Sequence, residues 1–167
     1  VWGYADEAKL PRIIVINKLE RENADFERAL ESVHHTFGRR AIPIQLPIGK
    51  EKDFRGIVDL IKEKAFLFKN DESGKYEVAA VPAELADAVK ARREALVELI
   101  AESDEDLMTK FFDSGALSEE DMLDGLRKAI GSGSIVPVLA ASGLLNFGAA
   151  QILDTAIRLL PSPAERK

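Results

Sequence analysis

The sequence predicts an α/β protein, with strand–helix units of a buried sheet at its two ends and an α+β insertion between them. Two apolar runs carry this reading. Ile13-Ile14-Val15-Ile16 and Ile135-Val136-Pro137-Val138-Leu139-Ala140 are unbroken, the pattern of strands buried on both faces of a parallel sheet under helices. Each run stops in a loop, Asn17-Lys18-Leu19-Glu20 and Ala141-Ser142-Gly143-Leu144, and open α/β sheets bind ligands at such carboxyl ends. The third observation is the change of character between them, where short strands with turn signals give way to helices. Residues 1–40 and 133–163 are therefore assigned to the core, 41–132 to an insertion that packs as its own subdomain, and 164–167 to the start of a linker.

In chain order, Tyr4 to Leu10 reads as the tail of a helix, and the opening at Val1 points to a piece of something longer. After the first polar loop, Ala24 to Phe37 is helical, with Phe26, Ala29, Leu30 and Val33 on one face and Gly38 as its stop. His34 and His35 fall in its last turn, where cations are ordinary and no third metal ligand is in sight. Ala41 to Ile48 has strand composition with two prolines, an edge-strand signature. Phe54–Leu60, Lys64–Phe68 and Tyr76–Val78 follow as short strands around the turn cluster Asn70 to Gly74, making a small antiparallel sheet. Pro82 opens a helix to about Ser103. A second helix runs over Asp104–Phe112, and a third starts at the capping sequence Ser118-Glu119-Glu120-Asp121 and breaks at Gly131 to Ser134. Phe147 to Leu160 is the last helix, with Ile152, Ala156 and Leu159 facing in.

Composition narrows the function. An apolar fraction of 46% with 31% charged residues is that of a globular protein with a core. No apolar run approaches the ~18 residues of a membrane span, and no signal peptide opens the chain. The chain has no cysteine, which excludes disulfides and thiolate metal sites and fits a cytoplasmic location. A net charge of −6 argues against a broad nucleic-acid footprint.

The first loop resembles the Asn-Lys-x-Asp loop with which P-loop GTPases read guanine, with Glu20 in the place of the aspartate. Continued through Phe26, it looks like the guanine loop and following helix of bacterial elongation factor G. Ile44 to Gly49 and Phe54 to Leu60 resemble the opening of that family's inserted G-prime subdomain. Asp104 to Met108 and Gly125 to Arg127 are similar to its later helices, and Ile152 to Asp154 with Leu160 to Pro163 to the exit from its G domain. The resemblance implies the C-terminal half of a P-loop GTPase (Ras-like) sheet carrying the G-prime insertion, from a parent that hydrolyses GTP to drive translocation on the ribosome. The elongation-factor-G-like branches remain open, including recycling factors and tetracycline-type ribosome protection.

Roles carry over by position. The Glu20 carboxylate would accept from the ring N–H and exocyclic amine of guanine, donors that adenine does not present there. Lys18 would lay its stem along the base, and Asn17 would tie its loop to the phosphate loop. Ser142-Gly143-Leu144 stands where the family has Ser-Ala-Leu/Lys, whose backbone N–H meets the guanine carbonyl. Glu20 is one methylene longer than the aspartate, which implies weaker guanine selection.

No G-x-x-x-x-G-K-[ST] motif is present, and Asp53-Phe54-Arg55-Gly56 falls on the wrong side of the guanine loop to be the Mg²⁺ and γ-phosphate loop. Catalytic residues and Mg²⁺ ligands would lie outside this chain, with GTP or GDP bound by the parent. Glu94, Glu98, Glu102 and Asp106 recur at helical spacing, with Glu105 beside them. In the family, an acidic helix of the insertion meets the basic C-terminal domain of the ribosomal stalk protein; the matching positions are Glu98, Glu102 and Glu105. A reading of another class is a non-catalytic module that docks on the stalk.

Overall fold

The computed structural model describes residues 1–162 and 164. Its parallel sheet has three strands in the order β1-β7-β2: β1 is Ile14–Ile16, β2 is Ala41–Pro43 and β7 is Val136–Ala140. The central strand, β7, is buried at all five positions, as its unbroken apolar run requires. Between β1 and β2 runs α2 (Phe26–Phe37), which buries Phe26 and Leu30 against the sheet side of the core. Its N-cap is Asp25, whose carboxylate accepts from the Arg28 N–H at 3.0 Å and receives Lys50 Nζ at 3.0 Å. These two bonds hold the Asp25 carboxyl below its usual range, the Arg28 bond first. At its far end, His34 Nε2 lies 2.8 Å from the Ala41 carbonyl, a structural contact joining α2 to β2.

The strand expected over 41–48 is divided between two sheets. Ile44 is the branch point: its N–H donates to Val138 of β7 at 3.1 Å, while its carbonyl accepts from Leu60 at 3.0 Å. Ala41–Pro43 therefore belongs to the parallel sheet, although the sequence places it in the insertion. Gln45–Ile48 becomes β3, the first strand of an antiparallel sheet completed by β4 (Gly56–Asp59), β5 (Lys64–Phe68) and β6 (Tyr76–Ala79). Proline at 43 and 47 breaks the donor row on either side of Ile44. Gly56 opens β4 in close packing, since a Cβ there would lie 2.5 Å from the Phe66 carbonyl oxygen. Asp53-Phe54-Arg55-Gly56 is thus the entry to a strand.

A 3₁₀ turn at Ala83–Leu85 leads into α3 (Ala86–Glu102), followed by α4 (Glu105–Ser114) and α5 (Glu119–Ser132). Asp104 and Ser118 cap α4 and α5 with their side chains. Arg93 fastens α3 to the β4–β5 turn by donating to the carbonyls of Leu60 and Ile61. The buried residues of both sheets and of α3 to α6 (Ala149–Leu159) form one cluster, from Leu30 and Leu139 through Ile57 to Leu96 and Leu126. The insertion thus shares its core with the parallel sheet. Ahead of β1, α1 (Trp2–Glu7) stacks Trp2 on Phe37 at 4.0 Å between ring centres, with the Arg12 guanidinium over the same ring. The linker expected at 164–167 lies, apart from Ala164, outside the described residues.

Candidate functional site

Parallel pairing sets Ile16 opposite Ala140, so the two polar loops leave the sheet side by side. The ladder extends one step past the strands. Ala141 donates to Ile16 at 3.0 Å, and Leu19 donates back to Ala141 at 3.4 Å. Asn17 then joins the loops through its side chain: Oδ1 accepts from its neighbour Lys18 N–H at 2.7 Å and from Gly143 N–H at 2.9 Å. Only a short side chain ending in an acceptor reaches both. Lys18 turns the chain with a left-handed φ of 65° and keeps its side chain exposed, while Leu19 points inward at 5% exposure.

Glu20 is the electrostatic feature of the site. Its side chain is 9% exposed, and both carboxylate oxygens are buried without a hydrogen-bond partner. The nearest cation is Arg21, with Nε at 4.0 Å from Oε1, too far for a hydrogen bond. A desolvated carboxylate without donors is costly, by about 1–3 kcal/mol or more per unpaired group.

The second loop is closed on itself. Ser142 and Phe147 exchange backbone hydrogen bonds at 3.0 and 2.9 Å, and Ser142 Oγ, fully buried, accepts from Leu145 N–H at 3.1 Å. The Gly143 N–H, expected to face the base carbonyl, is instead given to Asn17. A Cβ at Gly143 would sit 3.6 Å from the Asn17 amide, ordinary contact, so the site accommodates an alanine there. Leu144 is 69% exposed at the loop tip.

Of the acidic residues singled out, Glu94, Glu98 and Glu102 lie exposed on α3 and Glu105 exposed on the first turn of α4. The stripe does not run on to Asp106 along one helix, because α3 ends at Glu102 and Asp104 restarts the chain as a new cap. Glu94 and Glu98 line a groove of about 420 Å³ with Val97, Phe111 and Leu117. No group of three or more metal-ligating side chains forms among the described residues.

Three residues that hold the loops escaped the sequence reading. Gln45, 3% exposed, accepts from Ala140 N–H at 3.3 Å. Asn146 donates to the Glu72 carbonyl at 3.3 Å, and Phe147 stacks on Phe68 at 4.8 Å between ring centres. The only signal was a lone Gln inside the apolar run Ile-Pro-Ile-Gln-Leu-Pro-Ile.

Comparison with known proteins places this geometry. A crystal structure of a protein from Thermus thermophilus is similar at a TM-score of 0.87 and 31% identity, over 99% of this chain and 24% of that one. The chain thus spans about a quarter of that protein's length. No helix among the described residues is long and apolar enough to cross a membrane. The sequence model of the elongation factor Tu GTP binding domain matches residues 1–162. With its paired loops at the carboxyl ends of a parallel sheet, the chain belongs to the family of the elongation factor Tu GTP binding domain.

Proposed function

We propose that the chain is the base-reading half of a ribosome-dependent translational GTPase of the elongation factor G type, working in the cytoplasm. The observation that carries the reading is the buried, donor-less carboxylate of Glu20 beside two loops that Asn17 locks together. Guanine presents two adjacent donors, its ring N–H and its exocyclic amine, and a bidentate acceptor in a desolvated site selects for that pair. Asn17 preorganises the loops and Lys18 covers the base with its stem. Ser142, Gly143 and Leu144 form the opposite wall. GTP would bring the scissile γ-phosphate and GDP would be the bound product, and the groups that cradle phosphate and Mg²⁺ belong to other parts of the parent. On this reading the exposed carboxylates Glu98, Glu102 and Glu105 face the basic C-terminal domain of the ribosomal stalk.

The test is calorimetric titration of the longer protein with GDP and ADP. Wild type binds GDP and not ADP, and Glu20→Ala weakens GDP at least about tenfold, the scale of a lost charged hydrogen bond. Unchanged GDP binding in Glu20→Ala refutes the role of Glu20. A parent that binds the stalk and no nucleotide would establish instead the non-catalytic docking module.

A further inference from the structure

The insertion grips both base-reading loops. On the first loop, two successive turns, Arg21 N–H to Lys18 O and Ala24 N–H to Arg21 O, both 3.1 Å, make a relay from Lys18 to Ala24 that contains Glu20 and Asn23. The relay ends on the insertion, where Asn23 N–H donates to Glu51 Oε1 at 2.9 Å across 28 residues. Both residues sit in the left-handed region, Asn23 at φ 63° and Glu51 at φ 52°. Gly49 makes that turn possible, since a Cβ there would lie 1.9 Å from the Asp53 carbonyl oxygen. Backbone strain kept at a non-glycine residue marks a place where the surroundings over-determine geometry. Leu19, between Lys18 and Glu20, lines an apolar groove with Leu46, Pro47 and Lys50 of the same segment.

On the second loop, the β5–β6 turn makes the equivalent contact. Asn146, at φ 57°, donates to the Glu72 carbonyl, and Gly74 packs so closely that a Cβ would meet Asn146 Nδ2 at 2.8 Å. Phe147 is flanked by Phe54, at the entry to β4, and by Phe68 of β5.

We propose that Glu51 is a positioning residue for guanine selection: through Asn23 it fixes where the Glu20 carboxylate stands, while the 72–74 turn fixes the facing loop. The proposal rests on the guanine-reading role of Glu20 given above. A bidentate pair is sensitive to sub-ångström placement, and hypoxanthine, which lacks the exocyclic amine, uses only one of its two bonds. Loosening the clamp therefore harms GDP more than IDP.

The experiment measures GDP and IDP affinity of the longer protein in wild type, Glu51→Ala, Glu51→Gln and a control, Lys64→Ala, at an exposed position on β5. Glu51→Ala is expected to weaken GDP about fivefold and IDP about twofold or less, narrowing the ratio. Glu51→Gln keeps an acceptor for Asn23 and restores the wild-type ratio, and Lys64→Ala leaves it unchanged. Equal weakening toward both nucleotides in Glu51→Ala, or an unchanged ratio, overturns the proposal while leaving the reading of Glu20 standing. A wild type that does not prefer GDP over IDP overturns that reading, and this proposal with it.

Discussion

Glu20 separates what a residue type dictates from what its surroundings add. Its place at the end of a buried strand was legible in the sequence, because the period of the run and the abrupt polar stop both mark a carboxyl-end loop. Its lack of a hydrogen-bond partner was not, because burial of its two oxygens depends on how the loop folds against the rest of the chain. The same limit applies to Gly143, whose N–H is spent on Asn17 by a contact spanning 126 residues. The extra methylene of Glu20 gives a testable consequence. Glu20→Asp draws the carboxylate back toward the backbone by one carbon, to the reach that the family's loop uses. The longer protein carrying it should bind GDP severalfold more tightly, with ADP still excluded, in the same calorimetric titration. Weaker GDP binding in Glu20→Asp would mean that the loop is built around the longer side chain.

At the scale of elements, strands and helices followed their periods, and the ends of helices followed their caps. Asp25, Asp104 and Ser118 each accept from a backbone N–H two or three residues on, as short polar side chains before an apolar stripe should. The division of 41–48 was not legible, because both halves have the same composition and only the partners of Ile44 distinguish them. Helix packing holds a comparable distinction in α5. Gly125 is pressed between α3 and α4, where a Cβ would meet Ile100 Cγ2 and Leu107 Cδ1 at 2.5 Å. Gly131, further along the same helix, has nothing within 4 Å. Both look alike in the sequence, yet their substitutions should have opposite signs. Gly125→Val forces a branched side chain into a filled contact and should cost about 2 kcal/mol, after a small gain in helix propensity. Gly131→Ala adds only propensity and should stabilise by up to about 1 kcal/mol. Denaturant unfolding of the two variants reads both, and equal signs would show that α5 packs differently against α3.

For the whole molecule, the net charge of −6 is a property of the sequence, but its distribution is a property of the fold. Helical spacing runs the carboxylates from Glu94 to Asp106 along one line. The fold keeps Glu94, Glu98 and Glu102 on α3 and turns the chain at Ser103, so Asp106 falls on a different helix, α4. What remains is a short acidic face, with Glu105 close in sequence across the turn, beside a groove floored by Val97, Phe111 and Leu117. Exposed carboxylates contribute little to affinity in water, but they raise the encounter rate with a basic partner. If the face meets the basic C-terminal domain of the stalk protein, the effect must appear in association and must vanish with salt. Glu98→Lys with Glu102→Lys should lower the association rate constant about tenfold or more at low ionic strength, with dissociation less affected. At about 1 M salt, where the screening length falls to about 3 Å, the variant and wild type should associate at similar rates. Stopped-flow mixing with the isolated stalk domain over a salt series distinguishes this from direct contact. A loss that persists at high salt would place the two carboxylates within the bound interface, and equal rates at low salt would remove the acidic face from stalk recognition.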